Sequence, residues 1–272
     1  MMNNTRLEPS AERCSRLRQA RPATAHCLLM IGLLAVAGGC ATKPQEATNI
    51  DPAARKEIDR MCAAIGHLTS YRLSAESLTD EALPSGQLVQ VGRTSELKVA
   101  RPDRLAVTVT RDDGTHWSLW LSGGSLVLLD ETEKRYARVT LPPSLDEALE
   151  ELADRYDLCL PLSDLVSGLQ RADLLARAES GLYVGTETVA GQVCHHVLFR
   201  QPVADWQAWV EAGDAALPRR ILMTYKDEPG QPGYQATITE WDTAPQFDKE
   251  TWQPRLPPDA SEVEIAELLG KE

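Results

Sequence analysis

Little in this sequence announces a reaction. No Gly-x-Ser-x-Gly is present, since Ser167-Gly168 and Ser180-Gly181 both lack the first glycine. That removes the sharp strand-to-helix elbow on which a hydrolase nucleophile sits. A Walker loop and a Gly-x-Gly-x-x-Gly are absent too, and with them the usual phosphate cradles. No CxxC spacing supports zinc or thiol redox work. Basic residues are outnumbered, 28 Lys and Arg against 40 Asp and Glu, for a net charge of −12. A nucleic-acid binder needs a basic stripe to displace phosphate counterions, and none is found. Phe occurs only twice, although Trp and Tyr reach six each. There is no internal repeat of 20–50 residues. Long apolar runs are lacking as well. The most apolar stretch, 27–37 (CLLMIGLLAVA), rises about 16 Å as a helix, whereas a hydrocarbon core needs roughly 20 residues.

That short run is nevertheless informative. Arg6, Arg13, Arg16, Arg18 and Arg21 precede it without a single Lys, and Ala37-Gly38-Gly39-Cys40 follow it. A basic segment, a short apolar core and small residues before a cut site make a secretory signal. The small residues end in Cys, so the segment resembles the lipobox of bacterial lipoproteins. That resemblance implies cleavage after Gly39 and lipid on the thiol of Cys40, an anchor held stably by two or more chains. Ala41 in place of Asp implies the outer membrane of a Gram-negative bacterium. An uncleaved N-terminal anchor is the alternative. Removal of 1–39 takes five Arg and two Glu, leaving 23 basic and 38 acidic side chains, a net −15 over 233 residues. An acidic surface resists anionic lipid head groups, so the membrane contact is expected from the anchor rather than from charge. Four Cys remain: Cys40, Cys62, Cys159 and Cys194. With Cys40 acylated, either Cys62, Cys159 and Cys194 stay as free thiols, or Cys159 and Cys194 pair and leave one odd thiol.

Beyond a polar tether over 40–51, Asp51-Pro52 reads as a helix cap and first turn. Ile58, Met61, Cys62, Ile65 and Leu68 then recur at helical spacing over 52–69. From Tyr71 the period becomes two, and strands are expected over 73–78, 87–100, 105–110, 117–121, 125–129 and 135–140. Turns at Pro84-Ser85-Gly86, Asp113-Gly114 and Gly123-Gly124 make this a meander. Pro142-Pro143 stops it. Ser144 and Glu147 form a capping box ahead of the apolar stripe Leu145, Leu149, Leu152 and Tyr156. A loop and turn over 159–166 and a short helix over 168–178 complete the insert. Strands resume over 182–189, 193–200, 206–211, 218–226 and 234–242. Ser261 and Glu264 spell a second capping box, opening a C-terminal helix within 261–272. The pattern predicts one α+β domain over 52–260. Its curved antiparallel sheet should form a half-open barrel, with helices packed on the concave side.

Several segments occur in a familiar order: Arg101-Pro102-Asp103-Arg104-Leu105, Pro142-Pro143-Ser144-Leu145-Asp146-Glu147-Ala148-Leu149, Leu160-Pro161-Leu162-Ser163-Asp164-Leu165, Asp205-Trp206-Gln207-x-Trp209 and Leu217-Pro218-Arg219-Arg220. Over roughly 52–256 the chain resembles a bacterial family of predicted periplasmic proteins and lipoproteins of unknown function. That family is similar in turn to the outer-membrane lipoprotein carrier and receptor fold (LolA/LolB-like). The likeness implies a half-barrel whose helices cover an apolar cavity suited to acyl chains. It carries no binding residue over.

Among the residues themselves, His195-His196 are strand neighbours and should face opposite ways, which argues against joint chelation. His67 and His116 lack partners at ligand spacing. Trp206 and Trp209 should also split between the faces. Asp112, Asp113, Glu131 and Glu133 gather at turns, where solvation is the default. No cofactor or metal is expected, and no catalysis. An enzyme would need His195 or His196 in a pocket with an acid. The expected inward set is Leu105, Val107, Val109, Trp117, Leu119, Leu121, Val197, Phe199, Trp206, Ile221 and Met223. It either lines a cavity for an acyl chain or other apolar ligand, or closes a filled core in an envelope protein that docks a protein partner.

Overall fold

The structure is a computed structural model that describes residues 49–270, except 161, 168–173 and 176. The signal segment with Gly39, the acylation site Cys40 and the tether as far as 48 lie outside the described residues, as does most of the helix expected over 168–178.

The first helix, α1 (Pro52–His67), starts where the sequence predicts. Asp51 Oδ1 accepts from the backbone N–H of Ala53 at 2.8 Å, Pro52 supplies the fixed first turn, and Ala54, Ile58, Met61 and Ile65 form the buried stripe. A first meander follows: β1 (Ser70–Ala82), β2 (Leu88–Ala100), β3 (Arg104–Arg111), β4 (His116–Ser122), β5 (Ser125–Asp130) and β6 (Arg135–Thr140). Gly123 and Gly124, both at positive φ, turn β4 into β5. A side chain at Gly124 would meet the carbonyl of Leu141 at 2.5 Å. The insert holds α2 (Leu145–Tyr156) and the single turn α3 (Ser163–Val166). Ser144 caps α2 through the N–H of Glu147, and its hydroxyl donates to the Glu147 carboxylate. A second meander runs through β7 (Ser180–Val189), β8 (Gln192–Arg200), β9 (Ala204–Glu211), β10 (Pro218–Tyr225) and β11 (Gly233–Asp242). The chain ends with a 3-10 turn (Lys249–Trp252), β12 (Ser261–Glu262) and α4 (Ile265–Leu268).

All twelve strands form one open curved sheet in the order β12-β6-β5-β4-β3-β2-β1-β11-β10-β9-β8-β7. Neighbours are antiparallel except β12, which lies parallel to β6. This is the expected α+β class. Two apolar clusters fill the helix-bearing face. In one, α2 and α3 set Leu145, Leu149, Leu152, Leu165 and Val166 against the first meander. In the other, Ile58 and Met61 of α1 pack on Val197, Phe199 and Trp206. β5 is buried on both faces from Leu126 to Leu129, which explains its unbroken apolar run. The 3-10 turn lies over β3 and β4.

Three expectations need correction. Ser261 does not open a helix: its N–H donates to Lys134 O and it pairs with Arg135. The unpaired edge of β6 outcompetes the capping box, and α4 begins at Ile265 with no side-chain cap. The tether is shorter than expected, because Ile50 is buried and bridges Gly181 at the β7 edge. Cys62 and Cys194 take part in no disulfide, while Cys159 is disulfide-bonded. The three are therefore not all free, and the Cys159–Cys194 pair does not form.

Arg101 joins the parts. Its guanidinium donates to Ile65 O (3.0 Å) and Leu68 O (2.9 Å) at the end of α1, and to Leu165 O (3.0 Å) and Val166 O (3.2 Å) at the end of α3. A cation at two helix C-termini meets the negative ends of both dipoles. The ring of Tyr71 lies 5.7 Å away, and its hydroxyl donates to Leu165 O at 2.7 Å. Burial pushes this phenol's pKa up, which keeps it a donor. Arg101→Ala orphans the Leu68 and Val166 carbonyls, and leaves Ile65 O to the Leu68 N–H and Leu165 O to Tyr71. It should lower stability by about 2–4 kcal/mol in urea unfolding, and a loss below ~1 kcal/mol would refute this role.

Candidate functional site

Alternation along each strand sorts the inner face into rows. The end holding the β1–β2 turn is taken as the upper end. Two lower rows are wholly apolar: Tyr71, Val99, Leu105, Leu121 and Leu126, then Leu73, Leu97, Val107, Leu119 and Leu128, each residue directly opposite the next. Both rows are shut under the helices. Above them runs Ala75, Ser95, Val109 and Trp117, and above that Ile221, Ala236, Ser77, Arg93 and Arg111. The upper rows are where the apolar floor gives way to hydroxyls and guanidinium groups.

This divides the expected inward set. Leu105, Val107, Leu119 and Leu121 are buried in the first cluster, and Val197, Phe199 and Trp206 in the second, all at 6% exposure or less. Val109, Trp117 and Ile221 are partly exposed against the first cluster, and Met223 against the second. These four sit on β3, β4 and β10, at or above the level where the closed rows end. A groove of about 270 Å³ lies on the opposite, convex face, where Ser74, Glu76, Thr94, Glu96, Thr108 and Thr110 line it. It is hydroxyl-rich and unsuited to an apolar guest.

The histidines face opposite ways, as alternation requires. His195 points inward, where its Nδ1 is 2.8 Å from the Tyr183 hydroxyl and its Nε2 is 3.9 Å from Glu57 of α1. His196 points outward and is 10% exposed. Its Nδ1 is 2.9 Å from Glu187 Oε1 and its Nε2 is 2.8 Å from Gln207 Oε1, so both ring nitrogens are occupied. Trp209 stacks on it at 4.0 Å and donates its indole N–H to Glu187 Oε2 at 2.8 Å, with Arg220 over the indole's other side at 5.4 Å. An acid beside a histidine is therefore present, but the imidazole has no nitrogen left for a substrate. The group fastens β7, β8, β9 and β10 together on the convex face. Trp206 faces inward and stacks on Phe199 at 4.4 Å. His116 Nδ1 meets the Thr110 hydroxyl at 3.0 Å. Among the described residues no His, Cys, Asp and Glu cluster could hold a metal ion.

Burial and the nearby Glu211 push the Cys194 thiol's pKa up, which makes it a packing group rather than a nucleophile. The sequence reading passed over Ser77, Ser95, Arg93, Arg111 and Tyr234 as inward groups. Their strand parity with Leu73, Leu97, Val107 and Ile238 was the available signal.

An open antiparallel sheet with helices seated on one face defines the class: a half-barrel α+β protein. The chain belongs to the family described as predicted periplasmic protein (DUF2092), whose model matches residues 54–266. Among solved structures it is similar to lipoprotein LppX of Mycobacterium tuberculosis. Identity is 17% and the TM-score 0.47, over 73% of this chain and 100% of that one. It is similar to LprF from Mycobacterium bovis at 12% identity and a TM-score of 0.44, over 77% and 98% of the two chains. A putative outer membrane lipoprotein-sorting protein domain from Vibrio parahaemolyticus aligns at 9% identity and a TM-score of 0.30, over 73% and 94%. Among curated protein sequences none matches.

The Glu187 carboxyl is held below the usual carboxylate range by hydrogen bonds from Trp209 and then His196. A lowered native pKa stabilises the fold above the unfolded pKa, and that contribution is lost as pH falls through the native value. Glu187→Gln should therefore be less stable than the native chain at pH 7, by under about 1 kcal/mol because the group is half-exposed. In thermal melts the gap should close below about pH 4. A gap that stays constant from pH 7 to 3 would disprove the clamp's charge.

Proposed function

We propose that this is a non-catalytic lipoprotein of the cell envelope, a single half-barrel domain over 52–260. It is anchored to the periplasmic face of the outer membrane through lipid on Cys40, and it holds an acyl chain or other apolar ligand on the upper part of its inner face. The observation that carries the ligand reading is the strip of Val109, Trp117, Ile221 and Met223, which the helices leave partly exposed although it adjoins two closed cores. Each methylene laid there contributes about 0.8 kcal/mol when fully buried. The membership in a periplasmic family and the lipobox-like Ala37–Cys40 support the location. Ile50 supports a short tether: it joins the β7 edge ten residues after Cys40, so the domain rides within roughly 35 Å of its anchor.

One observation favours a second reading, in which the half-barrel is a filled scaffold for a protein partner. Seven of the eleven expected lining residues are already shut in by side chains of the same chain.

Two measurements decide. Cys40→Ser should abolish fractionation with outer membranes and leave uncleaved precursor, and an unchanged distribution would remove the anchor. Native mass spectrometry of chain purified from its own host should show bound lipid. Val109→Asp with Ile221→Asp should reduce it at least tenfold, while Leu182→Asp on the exposed β7 edge should not. Lipid-free native chain would leave the scaffold reading standing.

A further inference from the structure

The strip proposed to hold an apolar chain adjoins a set of unsatisfied hydrogen-bonding groups. Ser77 and Ser95 are 5% and 6% exposed, and neither hydroxyl has a partner. The Tyr234 hydroxyl and the Trp117 indole N–H are likewise buried without one. Native interiors rarely leave such groups unpaired, because each loses its water without gaining a partner. Four orphans on one stretch of one face call for a common occupant. Pairing puts them together. Ser77 is opposite Arg93, which is opposite Arg111. Ser95 shares the next row with Val109 and Trp117, and Tyr234 is opposite Thr79, two residues from Ser77.

The groups are mostly donors. Two guanidinium groups face each other directly across β2 and β3, a placement that like charges disfavour. Arg93 donates to Thr79 Oγ1 at 2.8 Å and Glu81 Oε1 at 2.7 Å. Arg111 lies 3.8 Å from the same Glu81 carboxylate and 3.3 Å from the half-exposed Asp113. Yet its buried Nε makes no aligned hydrogen bond, although its side chain is only 12% exposed. Arg111 Nε is thus a buried donor without an aligned acceptor. Burial, then the nearby Tyr225, pushes the Tyr234 phenol's pKa up and keeps it protonated, one more donor. A surplus of donors fits an oxygen-rich anion, above all a carboxylate or phosphate gripped by arginine. Apolar Val109, Trp117 and Ile221 stand beside it.

We propose that Arg93 and Arg111, with the hydroxyls of Ser77, Ser95 and Tyr234, form a head-group site for an anionic amphiphile whose chain lies along Val109, Trp117 and Ile221. The site rests on the ligand reading above and narrows it: the guest is a fatty acid or phospholipid-like anion rather than a neutral lipid.

The test is calorimetric titration of the mature chain 40–272 carrying Cys40→Ser. Oleate and oleoyl lysophosphatidate should bind at least tenfold tighter than methyl oleate, which has the same chain without the charge. Arg93→Gln with Arg111→Gln should erase that preference and leave methyl oleate affinity within twofold. Equal binding of oleate and methyl oleate to the native pair of arginines overturns the head-group site and spares the apolar strip. Failure of all three to bind overturns both. Inorganic phosphate that displaces oleate at low millimolar concentration would make a free anion the occupant and sink the amphiphile. The ester comparison uses the native arginines, so it decides even if the double variant misfolds.

Discussion

The two meanders meet along a single seam, the antiparallel pairing of β1 with β11 that sets Arg72 opposite Asp242 and Thr79 opposite Tyr234. Apart from β12 beside β6, every other pair of neighbouring strands is consecutive in the chain. Each meander can therefore close its own hairpins locally, but neither makes the inner face alone. The row that runs from Ile221 through Ala236 and Ser77 to Arg93 and Arg111 exists because the seam holds register. A one-residue slip would turn every one of those side chains to the other face. The bulge at Ser74/Ala75 falls within this ladder. It adds local twist where the sheet must curl.

The helices then decide how much of the curled face remains usable. α1 covers β7 to β9, and α2 with α3 covers the lower rows of the first meander. Arg101 ties the ends of α1 and α3 to one guanidinium, so the two covers are not independent. What they leave is amphipathic. Apolar Val109, Trp117 and Ile221 adjoin Ser77, Ser95 and two arginines, whereas the rows below are uniformly aliphatic or aromatic. The polar groups on the convex face are spent differently. His196, Glu187, Gln207 and Trp209 satisfy one another across three strands.

Much of this was legible in the sequence because it is local. The Asp51-Pro52 start of α1, the Ser144 cap of α2 and the two-residue turns are set by neighbours within four positions. Period-two alternation placed Leu105, Val107, Val109, Trp117, Leu119 and Leu121 on one face. What stayed hidden is long-range. Nothing near Leu73 or Ile238 marks their strands as partners. Ser261 and Glu264 carry the letters of a helix start, yet a free edge at Arg135 and Tyr136 offers backbone hydrogen bonds that a cap cannot match. Arg101 reads as part of a turn until α3, more than sixty residues later, brings Leu165 and Val166 to its guanidinium. The upper polar row was passed over for a different reason. An arginine in a strand reads as solvent-facing, although Arg93 shares the parity of Leu97 and Val99.

Both outer edges of the sheet are finished by the ends of the domain. Asn49 and Asp51 hydrogen-bond the backbone of Gly181 on β7, while Ser261 and Val263 hydrogen-bond Lys134 and Tyr136 on β6. The first of these seals waits on β7 and the second on the residues from 261 onward. A chain that emerges amino end first carries a completed β6 with bare N–H and C=O groups until its final residues are free. During that interval the half-made sheet is sticky toward any extended polypeptide, other nascent copies included. A carboxyl-terminal deletion of a dozen residues would make the interval permanent.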